Sequence, residues 1–205
     1  MFQLILGSVV LSLLHAIIPN HWLPILAIGK KEGWSLNETT QVTLLAGLAH
    51  ALSTVVIGVV LAFLGLTLNE EIEYITNYAA TAILVSMGLF FIWQHHRHKH
   101  FHLQDLGPTK TLTKRRIIWL LVVAMFFSPC LEIEAFYFAA GSLGWQPVLY
   151  ISVLYLLITV IGMVIWVKFA YKGLQKFDWH RIEHNAGIIT GVTLVLTGLL
   201  FFFIH

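Results

Sequence analysis

The chain has 205 residues, 58% of them hydrophobic and 11% charged, with a formal net charge of +2 and a mean hydropathy of +0.83. That balance excludes an ordinary soluble domain and points to an all-α integral membrane protein, for which no nucleic-acid partner is expected. A single cysteine, Cys130, excludes an internal disulfide.

Six apolar runs follow one another at 2–29, 39–66, 75–94, 117–139, 146–170 and 184–204, each near or above the ~20 residues that a membrane-crossing helix needs. They predict six transmembrane helices and leave no room for a separate soluble domain. The first run has no basic flank and no A-x-A-like site, so it is expected to stay as a helix rather than be cleaved as a leader.

All twelve basic residues fall in alternate loops. Lys30 and Lys31 follow the first run, Arg97, Lys99, Lys110, Lys114, Arg115 and Arg116 the third, and Lys168, Lys172, Lys176 and Arg181 the fifth. The second loop instead carries Glu70, Glu71 and Glu73. The positive-inside rule then places loops one, three and five in the cytoplasm and both termini outside. Trp34, Trp93, Trp119, Trp145 and Trp179 lie near run ends, where indoles favour the interface.

The two halves echo each other. Pro19 answers Pro129 and Gly88 answers Gly198, an offset of 110 residues, and in a slipped register Thr54-Val55-Val56-Ile57-Gly58 echoes Thr159-Val160-Ile161-Gly162. The order of the echoes predicts a 3+3 inverted repeat with proline-broken helices 1 and 4: repeat one 1–94, a loop 95–116 and repeat two 117–205. Secondary transporters are often built this way, with the site near the midplane. The glycines at 47, 58, 88, 162 and 198 are expected to be close-packing positions.

The first run holds the most expensive residues. Leu14-His15-Ala16-Ile17-Ile18-Pro19-Asn20-His21-Trp22-Leu23-Pro24 sets two imidazoles, an amide and two prolines inside apolar sequence. Pro19 is expected to free the carbonyl of His15, and Pro24 that of Asn20. On an unbroken helix His15 and His21 would diverge, and a break lets them converge. In the second run His50, Ser53 and Thr54 share a helical face. In the fourth, Pro129 is expected to free the carbonyl of Met125, with Glu132 and Glu134 close behind. Those two carboxylates diverge on a regular helix, and Glu132, nearer the break, is favoured as the inward one. Cys130 reads as a small buried packing residue, with an auxiliary ligand role as the alternative.

A carboxylate at membrane depth must be paired, solvated or neutralised. Every Lys and Arg has been placed at or beyond the run ends, so histidine, a proton or a mobile cation remains. His15, His21 and His50 with Asn20 and Glu132 compose a nitrogen and oxygen site that suits Ni²⁺, Co²⁺, Zn²⁺ or Fe²⁺ and lacks the dense sulfur that Cu⁺ takes. Glu134, Ser53 and Thr54 are further auxiliary candidates. His95, His96, His98, His100 and His102, five histidines in eight residues of the third loop, form a candidate cytoplasmic metal-capture tract that tilts the direction toward efflux. A basic surface loop with incidental histidines is the alternative. His180 and His184 share a face at the start of the sixth run.

His15-Ala16-Ile17-Ile18-Pro19-Asn20-His21 resembles the H-x4-D-H motif of the nickel/cobalt transporter superfamily, which includes the NiCoT permeases and NicO-type exporters. His50 followed by Ser53-Thr54-Val55-Val56 is similar to its G-H-S-T-V-V helix with a short insertion. Ser128-Pro129-Cys130 looks like the second-half element of the exporters. The resemblance implies that His15, His21 and His50 select the metal, and Asn20 departs from the family's aspartate. The expected function is transport of a nickel- or cobalt-like divalent metal, with no enzyme activity, no organic cofactor, the bilayer and the ion as partners, and a homo-oligomer left open. A haem-binding electron carrier and a membrane scaffold or assembly factor are the alternatives.

Overall fold

The structure is a computed structural model that describes residues 1–66, 112–130 and 132–173, together with isolated positions between 82 and 93 and between 192 and 199; the side chain of Asn20 lies outside the described set. Among the described residues the protein is all-helical, with six helices in order. They are α1 (Phe2–Ile17), α2 (Pro19–Lys31), α3 (Leu36–Leu66), α4 (Lys114–Phe126), α5 (Glu134–Ser142) and α6 (Trp145–Gly173). Three stretches are long and apolar enough to cross a membrane: Phe2–Lys31, Leu36–Leu66 and Trp145–Gly173. The expected third and sixth spans, the Glu70-Glu71-Glu73 loop, Gly88, Gly198 and the His95–His102 tract lie outside the continuously described residues, as do His180 and His184.

Both expected breaks take a definite local form. Ile18 is extended (φ −62°, ψ 128°), as the residue before a proline prefers, and Pro19 starts α2, where its missing N–H is no loss. Pro24 stays inside α2. The carbonyl of His15 is not left bare as expected, because the Ile18 N–H donates to it at 3.2 Å. The fourth run likewise divides into a helix of 13 residues and one of nine, neither of which alone reaches the ~20 of a span. Here too the carbonyl is taken up: Ser128 N–H donates to Met125 O at 3.3 Å. Short-range bonds at a helix end satisfy the group that the proline abandons.

The turn from α2 to α3 follows from four residues. Trp34 N–H donates to Gly29 O at 2.8 Å and Gly33 N–H to Lys30 O at 3.2 Å. Gly33 sits at φ +69°, the left-handed conformation that this helix stop requires and glycine tolerates. Ser35 and Glu38 then cap α3 reciprocally, Ser35 N–H to Glu38 Oε2 at 2.8 Å and Glu38 N–H to Ser35 Oγ at 3.3 Å.

The long helices sort their faces by side-chain size. On α3 the buried face runs through Ala46, Gly47, Ala51, Thr54, Gly58, Ala62 and Gly65, a stripe of small residues that lets neighbouring backbones approach closely. On α6 the exposed large residues recur every fourth position from Leu149 to Phe169, an apolar face fit for lipid. α3 packs against α4, α5 and α6, and α1 against α6. Of the expected close-packing glycines, a Cβ at Gly58 would strike the Tyr137 ring at 2.5 Å, one at Gly162 the Ala16 side chain at 2.5 Å, and one at Gly47 the Met163 sulfur at 3.3 Å.

The basic run ends meet at one end of the bundle. Lys30 Nζ lies 3.6 Å from the centre of the Tyr171 ring, whose hydroxyl donates to Trp34 O at 2.7 Å. Lys114 pairs with Glu38 and lies 5.7 Å from the Trp34 ring centre. Trp34, expected at the interface, is buried in this corner. The Lys114–Glu38 pair is roughly half exposed, and such pairs contribute little, about 0–1 kcal/mol; its worth lies in register.

Candidate metal centre

The breaks in the two proline-containing segments meet directly, His15 beside Glu132 and Cys130, and His50 of α3 joins them there. His15 lies in the last turn of α1, His21 in the first turn of α2, and His50 in the middle of α3. The extended Ile18 lets His15 and His21 turn the same way, and their ring centroids are 4.7 Å apart. His50 stacks on His21 at 4.3 Å and on His15 at 5.5 Å. One nitrogen from each ring falls in a group spanning no more than 4.8 Å. His15 and His50 are buried and His21 is half-buried.

Hydrogen bonding fixes how His50 presents itself. Its Nδ1 lies 2.8 Å from the Ser128 carbonyl oxygen. A carbonyl can only accept, so Nδ1 carries the proton and, in the neutral ring, Nε2 carries the lone pair. That Nε2 lies 3.3 Å from His15 Nε2 and 3.4 Å from the Tyr155 hydroxyl. A backbone carbonyl orienting a histidine so that its other nitrogen can coordinate is a recurring second layer of metal sites. Ser128 can serve because it lies beyond the end of α4, where its carbonyl is not needed for the helix.

The second break brings an acid and a thiol to the far side of His15. His15 Nδ1 lies 3.3 Å from Glu132 Oε2 and 3.5 Å from Cys130 Sγ, and the sulfur is 3.9 Å from the same carboxylate oxygen. The structure therefore brings together His15, His21, His50, Cys130 and Glu132. Glu134 is buried but begins α5, and its two carboxylate oxygens have no hydrogen-bond partner among the described residues. Ser53 donates to the His50 carbonyl at 2.8 Å and turns back on its own helix. Asn20 has its backbone in α2.

Thr54 and Tyr155 hold the arrangement in place. Thr54 Oγ1 donates to the His50 carbonyl at 3.0 Å and accepts from Cys130 N–H at 2.9 Å, so α3 fixes the height of the second break. Tyr155 of α6 reaches Thr54 Oγ1 at 3.5 Å as well as His50. Tyr155 was not among the candidates drawn from sequence, since a tyrosine inside Leu154-Tyr155-Leu156 carries no spacing signal. Thr54→Val is expected to strand the buried Cys130 N–H and lower stability by about 1–3 kcal/mol; thermal unfolding in detergent beside the wild type measures it.

Comparison with family models, curated proteins and solved structures gives no match to this chain.

Proposed function

We propose that the chain is a multi-pass membrane transporter of a divalent transition metal ion, nickel- or cobalt-like, with efflux as the favoured direction. The observation that supports it best is the meeting of His15, His21 and His50 from three separate helices within 4.8 Å. Ionisable side chains in apolar spans are functional by default, and three neutral imidazoles around one point form a donor set for Ni²⁺, Co²⁺, Zn²⁺ or Fe²⁺. Glu132, 3.3 Å from His15, supplies negative charge that offsets the cation.

In this reading the six spans form two inverted repeats whose broken helices face each other, and the metal binds between the breaks. The contacts that gather Lys30 and Lys114 with Trp34 and Tyr171 at one end support placing the odd-numbered loops together, on the cytoplasmic side by the positive-inside rule. The His95–His102 tract then collects metal on the side from which it leaves. The direct stacking of His21 on His50 at 4.3 Å disfavours the haem alternative, because a macrocycle would have to lie between two axial rings.

The test is metal accumulation in cells challenged with Ni²⁺, Co²⁺ or Zn²⁺. Expressing the wild-type chain should lower cellular metal and raise tolerance, and His50→Ala, made to an equal membrane level, should abolish both. Equal accumulation with and without His50 would favour a scaffold role with histidines that only pack.

A further inference from the structure

The two nitrogens of His15 face different donor sets, and the second set has the shape of a metal site in its own right. We infer that His15 Nδ1, Cys130 Sγ and Glu132 form a second metal position, distinct from the three-histidine position on the Nε2 side, so that the ion is handed across one imidazole and the substrate class is the thiolate-accepting divalent ions. The inference rests on the transporter reading and adds a sulfur ligand to it.

Geometry carries the argument. A tetrahedral ion with nitrogen and oxygen ligands at about 2.0–2.2 Å and sulfur at about 2.3 Å sets N···O near ~3.4 Å, N···S near ~3.55 Å and S···O near ~3.6 Å. The corresponding distances here are 3.3, 3.5 and 3.9 Å. Two edges of the triangle already match, and the third closes with a small rotation of the Glu132 carboxylate. All three residues are buried. The thiol is held there by the backbone, through Cys130 N–H on Thr54 Oγ1 at 2.9 Å.

Chemistry explains why there are two positions and not one large cluster. A neutral imidazole has one lone pair and one N–H, so His15 coordinates through one nitrogen at a time. With the ion on Nε2 beside His50, Nδ1–H donates to Glu132. With the ion on Nδ1, Nε2–H faces the lone pair that the Ser128 carbonyl imposes on His50 Nε2. Each position has a partner ready for the nitrogen it leaves. Hard ions such as Mg²⁺ and Ca²⁺ take oxygen ligands, whereas a thiolate and imidazole suit Zn²⁺, Co²⁺ and Ni²⁺.

Cobalt spectroscopy on the full chain purified in detergent tests this. Co²⁺ added to the wild type should produce a near-ultraviolet thiolate-to-cobalt charge-transfer band. The band should survive in His50→Ala, which keeps the second position, and vanish in Cys130→Ser, which should still bind Co²⁺ through the histidines. A wild type that binds Co²⁺ without the band, or a band unchanged in Cys130→Ser, overturns the second position and leaves the three-histidine reading standing. No Co²⁺ binding by the wild type overturns both.

Discussion

Replacing His15 with alanine is expected to weaken Ni²⁺, Co²⁺ and Zn²⁺ binding to the purified chain by more than about a hundredfold, which is roughly 2.7 kcal/mol. Changing a group that only orients a ligand already costs about 10–100-fold, and His15 is a ligand candidate in both donor sets. Glu132→Gln and Tyr155→Phe should cost less, the first within about 10–100-fold and the second less still, since Tyr155 meets His50 at a long 3.4 Å. His15→Ala also removes the partner of a buried carboxylate, and a stranded buried charge is strongly destabilising. His15→Asn, which keeps a hydrogen-bonding group against Glu132, separates lost coordination from lost folding. Isothermal titration of all four variants measures the order. If His15→Asn binds as tightly as the wild type, the ring is not a ligand.

The sequence made the cluster of candidate residues legible because an apolar environment penalises polar groups so heavily. In an apolar chain His15, His21, His50 and Glu132 stand out without any alignment, and the proline at 19 tells why two histidines six residues apart can share a site. The ordering of Glu132 over Glu134 followed from distance to the break, and the structure sets Glu132 beside His15 while Glu134 begins α5. The fate of the freed carbonyls was not legible: helix ends close on themselves with bonds one residue shorter, as Ile18 N–H on His15 O shows. Nor was the place of Cys130, because a buried cysteine in sequence is a small apolar residue until a neighbour turns a ring nitrogen toward it. The approach of the Cys130 N–H to Thr54, 76 residues away, sets that neighbour, and local pattern carries no trace of a contact so distant. The sixfold span count rests on apolar length alone, and the described residues include three such spans.

Gly141→Ala is expected to destabilise the protein by about 1–3 kcal/mol or more, although alanine is the better helix former by about 1 kcal/mol. The two effects oppose each other, and what lies around the position decides which wins. A Cβ at Gly141 would run into the Ala62 backbone, with the carbonyl oxygen nearest and the carbonyl carbon and Cα at 2.8 Å. A side chain could rotate away, but the backbone of α3 cannot. Gly65 faces the carbonyl of Phe138 in the same crossing, so α3 and α5 touch through glycine on both sides and must separate as whole helices to admit a methyl group. That separation would loosen Ala62, Ala139 and Ala140, which are buried there, and would draw α5 away together with the segment that carries Cys130 and Glu132. Gly173→Ala is the matched control, since among the described residues a Cβ there meets nothing within 4 Å. Thermal unfolding in one detergent should therefore show a clear fall for Gly141→Ala and almost no change for Gly173→Ala. A rise for Gly141→Ala would mean that helix propensity outweighs the contact, and that α3 and α5 do not approach so closely in the folded protein.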